Sequence, residues 1–314
     1  MTMLLLRHLQ RVGRRFAAPP VLTLGNFDGV HRGHQEILRR LVHRAREVGG
    51  TAVVLTFHPH PAAVLTPASV PPLITDWRAR VELIAAAGID AIIVQRFTRA
   101  FSAVTADDFV RDLLVVGLGV HTIVVGHRVT FGHGRAGGAD TLARLGSACG
   151  FAVEVVGPVE VDGMLVSSSA VRRAISAGDL ERARAFLGRS PSACGRVVHG
   201  HHRGKSLGFP TANLRVTRLV LPPDGVYAVR ARVHGAERAG VANLGFNPTF
   251  QVHERSLEVH VFDFDADLYG HRIEISFVQR LRGEMRFPNP QALAQQIARD
   301  VAAARQALAG ETLR

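Results

Sequence analysis

Residues 23–34 read TLGNFDGVHRGH, which sets His31 and His34 three positions apart in a turn that also carries Gly25 and Gly29. Three chemistries compete for that pattern. Two imidazoles at i and i+3 share a face if a helix has begun, as a metal pair would. No carboxylate or cysteine at suitable spacing completes such a site, and HExxH is absent. A turn entering a helix instead presents backbone N–H groups and a positive dipole end to anions. Glycines then let the backbone approach a nucleotide closely, and the imidazoles can neutralise a phosphate leaving group. Plain turn chemistry with surface histidines is the third reading.

Two further stretches could do chemistry. HGHHRGKS (199–206) nearly matches the phosphate loop GxxxxGK[ST], but His199 stands where that loop needs a glycine. The following LGFP cannot start the required helix. What remains is a basic, glycine-bearing turn running into GFPTANL. There Thr211 and Asn213 offer the hard oxygens that Mg²⁺ accepts beside phosphate, or else simply cap a turn. In SLEVHVFDFD, Leu257, Val259 and Val261 alternate with Glu258, His260 and Phe262. Glu258 is then either an outward strand carboxylate or a general base on a substrate hydroxyl.

These residues sit between recognisable elements. Apolar runs at 21–25, 51–57, 89–95, 121–126 and 152–156 alternate with helix-like stretches such as DWRARVELIAAAG, TADDFVRDLLVVG and DTLARLGSACG. Asp76, Thr105 and Asp140 read as N-caps, and Gly88 and Gly117 as C-terminal stops. The alternation predicts βαβ units and a parallel sheet covered on both faces. Ligands would bind beyond the carboxyl ends of its strands, where GNFDGVHRGH and GHRVTFGHGRAGG both fall. Near Ser190-Pro191 the pattern changes to short strands and turns, predicting a β-barrel or sandwich. A closing helix follows, with Asn289 as N-cap, Pro290 at N1 and a stop at Gly310; Leu293, Ile297, Val301 and Leu308 share one face.

The 314 residues suit two domains, and an apolar fraction of 47% marks a globular chain. Met3-Leu4-Leu5-Leu6 is too short for a signal core or a membrane span. Cys149 and Cys194 stand apart with no CxxC, so a soluble protein of a reducing compartment, the cytoplasm, is expected. The formal charge of +12 invites a nucleic-acid reading. Nearly all of it is scattered arginine, however, with Lys205 the sole lysine, and no aromatic stripe accompanies it. Small anionic substrates are expected rather than nucleic acid or membrane, and the oligomeric state is not legible.

Taken together, TLGNFDGVHRGHQ, VSSSAVRRAI, GRVVHGHHRGKSLGFPTANL, GVYAVRA, GVANLGFNPTF, LEVHVFDFDADLYG and LRGEMRFPNPQALAQQIARDV occur in one order. In that order they resemble the bacterial bifunctional riboflavin kinase and FAD synthetase family, from about residue 20 to 305. The resemblance implies a Rossmann-like nucleotidyltransferase domain over 1–187 that joins FMN and ATP into FAD and pyrophosphate. It implies an antiparallel riboflavin-kinase barrel with a terminal helix over 188–314. ATP would be co-substrate to riboflavin and FMN, and Mg²⁺ the cofactor.

Site residues follow by motif. His31 and His34 match the HxGH pair that holds ATP phosphates, flanked by Gly25, Phe27 and Gly29. Ser168, Ser169 and Arg172 match Ser-Ser-Thr-x-x-Arg, with Ser169 replacing threonine and Arg172 supplying a bidentate phosphate contact. Thr211 and Asn213 match the PTAN residues that organise Mg–ATP, and Glu258 matches the proposed base. Gly200, Gly204, Lys205 and Gly208 would shape the phosphate-covering turn. One loop departs: where the family reads Gly-x-Asp-Phe-x-Phe-Gly, this chain reads Gly126-His127-Arg128-Val129-Thr130-Phe131-Gly132. From Gly126 onward, Phe131, Gly132, Gly134 and Arg135 still match the flavin and nucleotide loop, while Arg128 cannot accept a hydrogen bond and Val129 loses an aromatic surface. An alternative expectation is therefore an active kinase whose FAD synthesis is impaired or retuned to another flavin or nucleotide.

Overall fold

The computed structural model describes residues 3–12, 16–199, 208–246 and 255–310. By internal contacts the chain divides into two compact units, residues 1–71 with 77–168, and residues 72–76 with 169–314.

The first unit is built on six parallel strands: β1 (Leu4–Arg7), β2 (Pro20–Leu24), β3 (Thr51–His58), β4 (Ala91–Arg96), β5 (Thr122–Gly126) and β6 (Ala152–Val156). Their order is β1-β4-β3-β2-β5-β6. Successive residues face opposite ways and both faces are covered, as a parallel sheet requires. Leu22, Val53, Leu55, Ile93, Ile123 and Val125 lie in one buried cluster with the helix Ala139–Cys149 and the π-helical stretch Phe109–Leu118. Val21, Ala52, Val54, Ile92 and Val124 lie in the other, under the helices Arg32–Glu47 and Trp77–Ala86. The chain winds one way from β2 through β3 to β4 and the other way from β5 to β6. The crevice beyond β2 and β5 is thus the topological switch point of the sheet.

A hairpin of β7 (Glu160–Val161) and β8 (Met164–Leu165) ends this unit. The helices Ser168–Ala177 and Leu180–Leu187 lead into the second. There β9 (Ser192–Val198), β10 (Ala212–Arg215), β11 (Gly225–Val233), β12 (Ala236–Phe246), β13 (Arg255–Val261) and β14 (Arg272–Arg282) close into an antiparallel barrel ordered β10-β13-β12-β11-β14-β9. Tyr227, Val229, Ala231, Leu257, Val259, Ile275 and Phe277 fill its interior. Val226 and Ala228, which alternate with the inward residues of β11, join Ala304 and Leu308 of the helix Pro290–Ala309 in a second cluster. The fold is the α/β unit plus barrel and terminal helix that the motifs implied.

Several local expectations needed correction. Leu4–Arg7 is a strand, pairing with β4 at the sheet edge; three leucines and an arginine show no periodicity to read. The long helix runs through Gly117 and stops at Gly119, whose φ of 68° ends it left-handed. Thr105 does cap, accepting from Asp108 N at 3.1 Å. Gly138 precedes the helix assigned to Asp140, leaving Asp140 in its first turn beside the positive dipole end. Phe262 is buried, because the strand ends at Val261 and the ring turns under the closing helix, where Arg305 stacks 4.5 Å from it. On that helix Asn289 caps as expected, accepting from Ala292 N at 2.8 Å. Asp300 is buried on its packed face because Arg282 pairs with it at 2.7 Å.

Candidate functional site

A cavity of about 810 Å³ opens in the first unit at the switch point. That volume suits a ligand the size of a drug or nucleotide. Of the residues singled out from the sequence, Gly25, Phe27, His31, His34, Gly126, Arg128, Gly132, Arg135 and Ser168 all line it. Gly29 stays in the turn behind, at φ 87°. Ser169 and Arg172 group by contact with the second unit, where Arg172 donates its Nε to the Pro72 carbonyl at 2.7 Å.

The turn is shaped at close quarters. Gly25 donates its N–H to the Leu55 carbonyl at 3.0 Å, anchoring the exit of β2 to β3. Phe27, Gly29 and Val30 all take positive φ, at 50°, 87° and 40°. For a β-branched residue such as Val30 this is a strained conformation. His31 is buried and caps the helix Arg32–Glu47, its Nδ1 accepting from His34 N at 3.3 Å. The two imidazoles stack 3.7 Å apart at 18°. A side chain on Gly33 would press within 3.2 Å of the His31 ring, so glycine is what admits this stacking. Burial first, then the His31 ring and the Arg80 guanidinium, hold the His34 pKa well below its usual value. Its Nδ1 and the Oδ1 of Asn26 are buried without hydrogen-bond partners among the described residues. Both residues line the cavity.

The loop after β5 forms the opposite lip. Val129 N bonds the Gly126 carbonyl at 2.9 Å, and Phe131 and Gly137 exchange backbone hydrogen bonds at 3.0 Å. Phe131 packs 5.7 Å from Phe109. Gly132, at φ 74°, passes so near Ala106 that a Cβ would lie 2.6 Å from its backbone. At the two departures, Val129 packs against the core and Arg128 is exposed on the cavity lining.

Two features escaped sequence reasoning. Phe57, Phe97, Phe101 and Phe109 make an edge-to-face wall on one side of the cavity. The run RFTRAF held the signal, but not its partners from other elements. The second is the buried pair of Arg80 and Asp28, 3.4 Å apart.

In the second unit, Asn213 on β10 stands directly opposite Glu258 on β13, which stands opposite Asn243 on β12. Neighbours Leu214, Leu257, Val259 and Leu244 face the interior, so the Asn213–Glu258–Asn243 row lies on the outer barrel surface. Thr211, two residues before Asn213, is partly exposed just ahead of β10. His260 bonds the Pro210 carbonyl through Nδ1 at 2.8 Å, fixing the start of β10 against β13. Asn243 is a row member that only the register reveals. Gly208 is described, at φ 84°, while Gly200, Gly204 and Lys205 lie outside the described residues. Among the described residues no cluster of three or more His, Cys, Asp or Glu could hold a metal by itself.

A parallel sheet with a histidine-capped helix at its switch point, followed by a barrel bearing an outer amide–carboxylate row, is the architecture of a two-module nucleotide-using transferase. Comparison with known proteins supplies the family. The FAD synthetase model matches residues 14–170 and the riboflavin kinase model matches 187–308. A Pseudomonas fluorescens bifunctional riboflavin kinase/FMN adenylyltransferase is 42% identical, covering 91% of this chain and 92% of the relative. The Escherichia coli K12 enzyme of the same description is 39% identical over 91% of this chain and 92% of its own. A Streptococcus pneumoniae crystal structure described as a macrolide-efflux protein superposes with a TM-score of 0.85 at 30% identity, covering 96% and 99% of the two chains. The chain belongs to the bifunctional riboflavin kinase/FMN adenylyltransferase family. Because the FAD synthetase match spans Arg128 and Val129, an impaired or retuned adenylyltransferase is not favoured.

Proposed function

We propose that the cavity of the first unit joins FMN to ATP and that the outer row of the barrel phosphorylates riboflavin. The activity is two-step flavin cofactor synthesis: riboflavin and ATP give FMN and ADP, and FMN and a second ATP give FAD and pyrophosphate. The observation that carries the assignment is the His31 cap, which sets two stacked imidazoles and a helix N-terminus in one cavity.

For adenylyl transfer, a phosphate oxygen of FMN attacks the α-phosphorus of ATP and pyrophosphate leaves. His31 accepts through Nδ1, which leaves Nε2 as the ring nitrogen that carries a proton and can donate to phosphate. His34 enters the reaction neutral and gains basicity as the triphosphate brings negative charge beside it. The first turn of the 32–47 helix adds its dipole. Gly25, Phe27, Gly29 and Ser168 shape the nucleotide side, Gly126, Arg128, Gly132 and Arg135 the opposite lip, and the phenylalanine wall offers apolar area to a flavin ring. Ser169 and Arg172 are assigned to phosphate binding by motif alone.

For the kinase step, Glu258 takes the proton of the terminal ribityl hydroxyl as that oxygen attacks the γ-phosphorus. Thr211 and Asn213 are oxygen donors of the hard class that suits Mg²⁺, held with substrate phosphates rather than in a protein cage. When bound, Mg²⁺ neutralises phosphate charge. Gly200, Gly204, Lys205 and Gly208 are assigned to a phosphate-covering turn by motif alone. Small-molecule substrates and a cytoplasmic location, without nucleic acid or membrane, belong to the same proposal. No helix among the described residues is long and apolar enough to cross a membrane, and both cysteines are free thiols.

Incubation of the purified protein with riboflavin, Mg²⁺ and ATP, followed by chromatography, tests the reading. FMN and then FAD should appear, and His31→Ala should stop the sequence at FMN. FAD formation unaffected by that change would remove the cavity from the reaction.

A further inference from the structure

Arg80 stands outside every motif, is buried at 3% exposure, and does not line the cavity. From the first turn of the Trp77–Ala86 helix it reaches the β2–helix turn twice. Its Nη1 donates to the Asn26 carbonyl at 3.0 Å, and its Nη2 lies 3.4 Å from Oδ1 of Asp28, itself 2% exposed. Two further side chains hold the same turn. Ser168 Oγ donates to the Asp28 carbonyl at 3.0 Å, and Gln35 Nε2 to the Val30 carbonyl at 2.8 Å.

The turn needs such holding. Phe27, Gly29 and Val30 all sit at positive φ, a conformation that persists only where surroundings over-determine it. Removing two charges from water is costly, and a packed apolar pair would be no less stable. What the ion pair adds is direction. A planar fork fixes one carbonyl and one carboxylate at once, which a point charge or a methyl group cannot do. The groups held in place are Asn26, whose Oδ1 lacks a partner among the described residues, and the stacked histidines that follow.

We infer that Arg80 is a positioning residue for FMN adenylylation, acting through Asn26 and Asp28 to hold the strained turn that presents His31 and His34 to the nucleotide. The inference rests on the adenylyltransferase reading of the cavity and adds a residue to it. Arg80 touches no substrate, so its loss misplaces reacting groups without removing a binding contact. Misplacement of about 1 Å costs roughly 10²-fold in rate.

The test uses the full chain, with FMN and FAD formation measured on each preparation. Arg80→Met should lower kcat for FAD synthesis about 10²-fold, with KM for ATP and FMN within about threefold. Arg80→Lys should recover part of that loss, and the isosteric Asp28→Asn should lower kcat in the same sense. FMN formation from riboflavin should be unchanged in all three. Fluorescence of Trp77, the sole tryptophan, reports whether the helix carrying Arg80 is folded. Should Arg80→Met not fold, the Lys and Asn variants decide. Wild-type kcat in the folded variants, or a raised KM at constant kcat, overturns the inference. Absence of FAD from the wild-type chain would instead sink the adenylyltransferase reading itself.

Discussion

Asn213 and Glu258 face each other across the β10–β13 ladder, with Asn213 also paired to Val198 of β9. An amide and a carboxylate are thereby held side by side on the outer barrel wall. If Glu258 is the base, Glu258→Gln should reduce FMN formation by about 10²-fold or more while leaving FMN-to-FAD conversion intact. Near-normal riboflavin turnover in the folded variant would take Glu258 out of the mechanism.

His34 gives a pH dependence with a definite sign. Its folded pKa is depressed below the ordinary 6.5 by burial, then by His31 and Arg80. Below pH 6.5 the unfolded chain therefore binds a proton that the folded chain does not. The contribution to stability is complete above 6.5 and is lost as pH falls from there towards the folded value. Thermal unfolding of wild type and His34→Asn, compared across that range, should show wild type losing relative stability on the acid side. Parallel curves would contradict the depressed pKa.

Gly132 combines a φ of 74° with a Cβ position 2.6 Å from the Ala106 backbone. Gly132→Ala should destabilise the first unit by about 1–3 kcal/mol or more and reduce FAD synthesis. FMN formation, carried by the barrel, should persist. Unaltered melting and FAD output would show that the lip can move aside.

Arg128 is exposed at the cavity rim, so its charge acts through solvent. We expect Arg128→Ala to raise KM for FMN by a few-fold, with the difference shrinking as salt is added. A kcat effect without a KM effect would place Arg128 in the chemistry instead.

Leu180, from the helix before β9, is 7% exposed within the barrel core. Asp179 caps that helix, accepting from Arg182 N at 3.0 Å. A kinase fragment beginning at residue 188 forfeits this burial, worth about 2 kcal/mol for a leucine. Beginning at Asp179 should restore it. Denaturation midpoints of the two fragments, each assayed for FMN formation, give the comparison; equal midpoints would show that the helix adds nothing.

What the sequence by itself determined was periodic or local. Apolar runs marked β2 to β6, where covering both sheet faces demands them. The Asn289-Pro290 start of the last helix is a matter of a few adjacent residues. The histidine turn was legible for the same reason, since His31, Gly33 and His34 build the cap and the stack among themselves. Tertiary structure decided the rest. Leu4–Arg7 becomes a strand only because β4 offers an edge. Gly119 ends its helix rather than Gly117 because π-helical winding carries the chain two residues further. Asn243 joins Asn213 and Glu258 only through a register summed over two ladders. Arg80, one arginine among many on paper, meets Asp28 from a helix that follows the next strand, β3. Local patterns report which way a side chain faces. What it faces depends on long-range packing, and no run of neighbours encodes that.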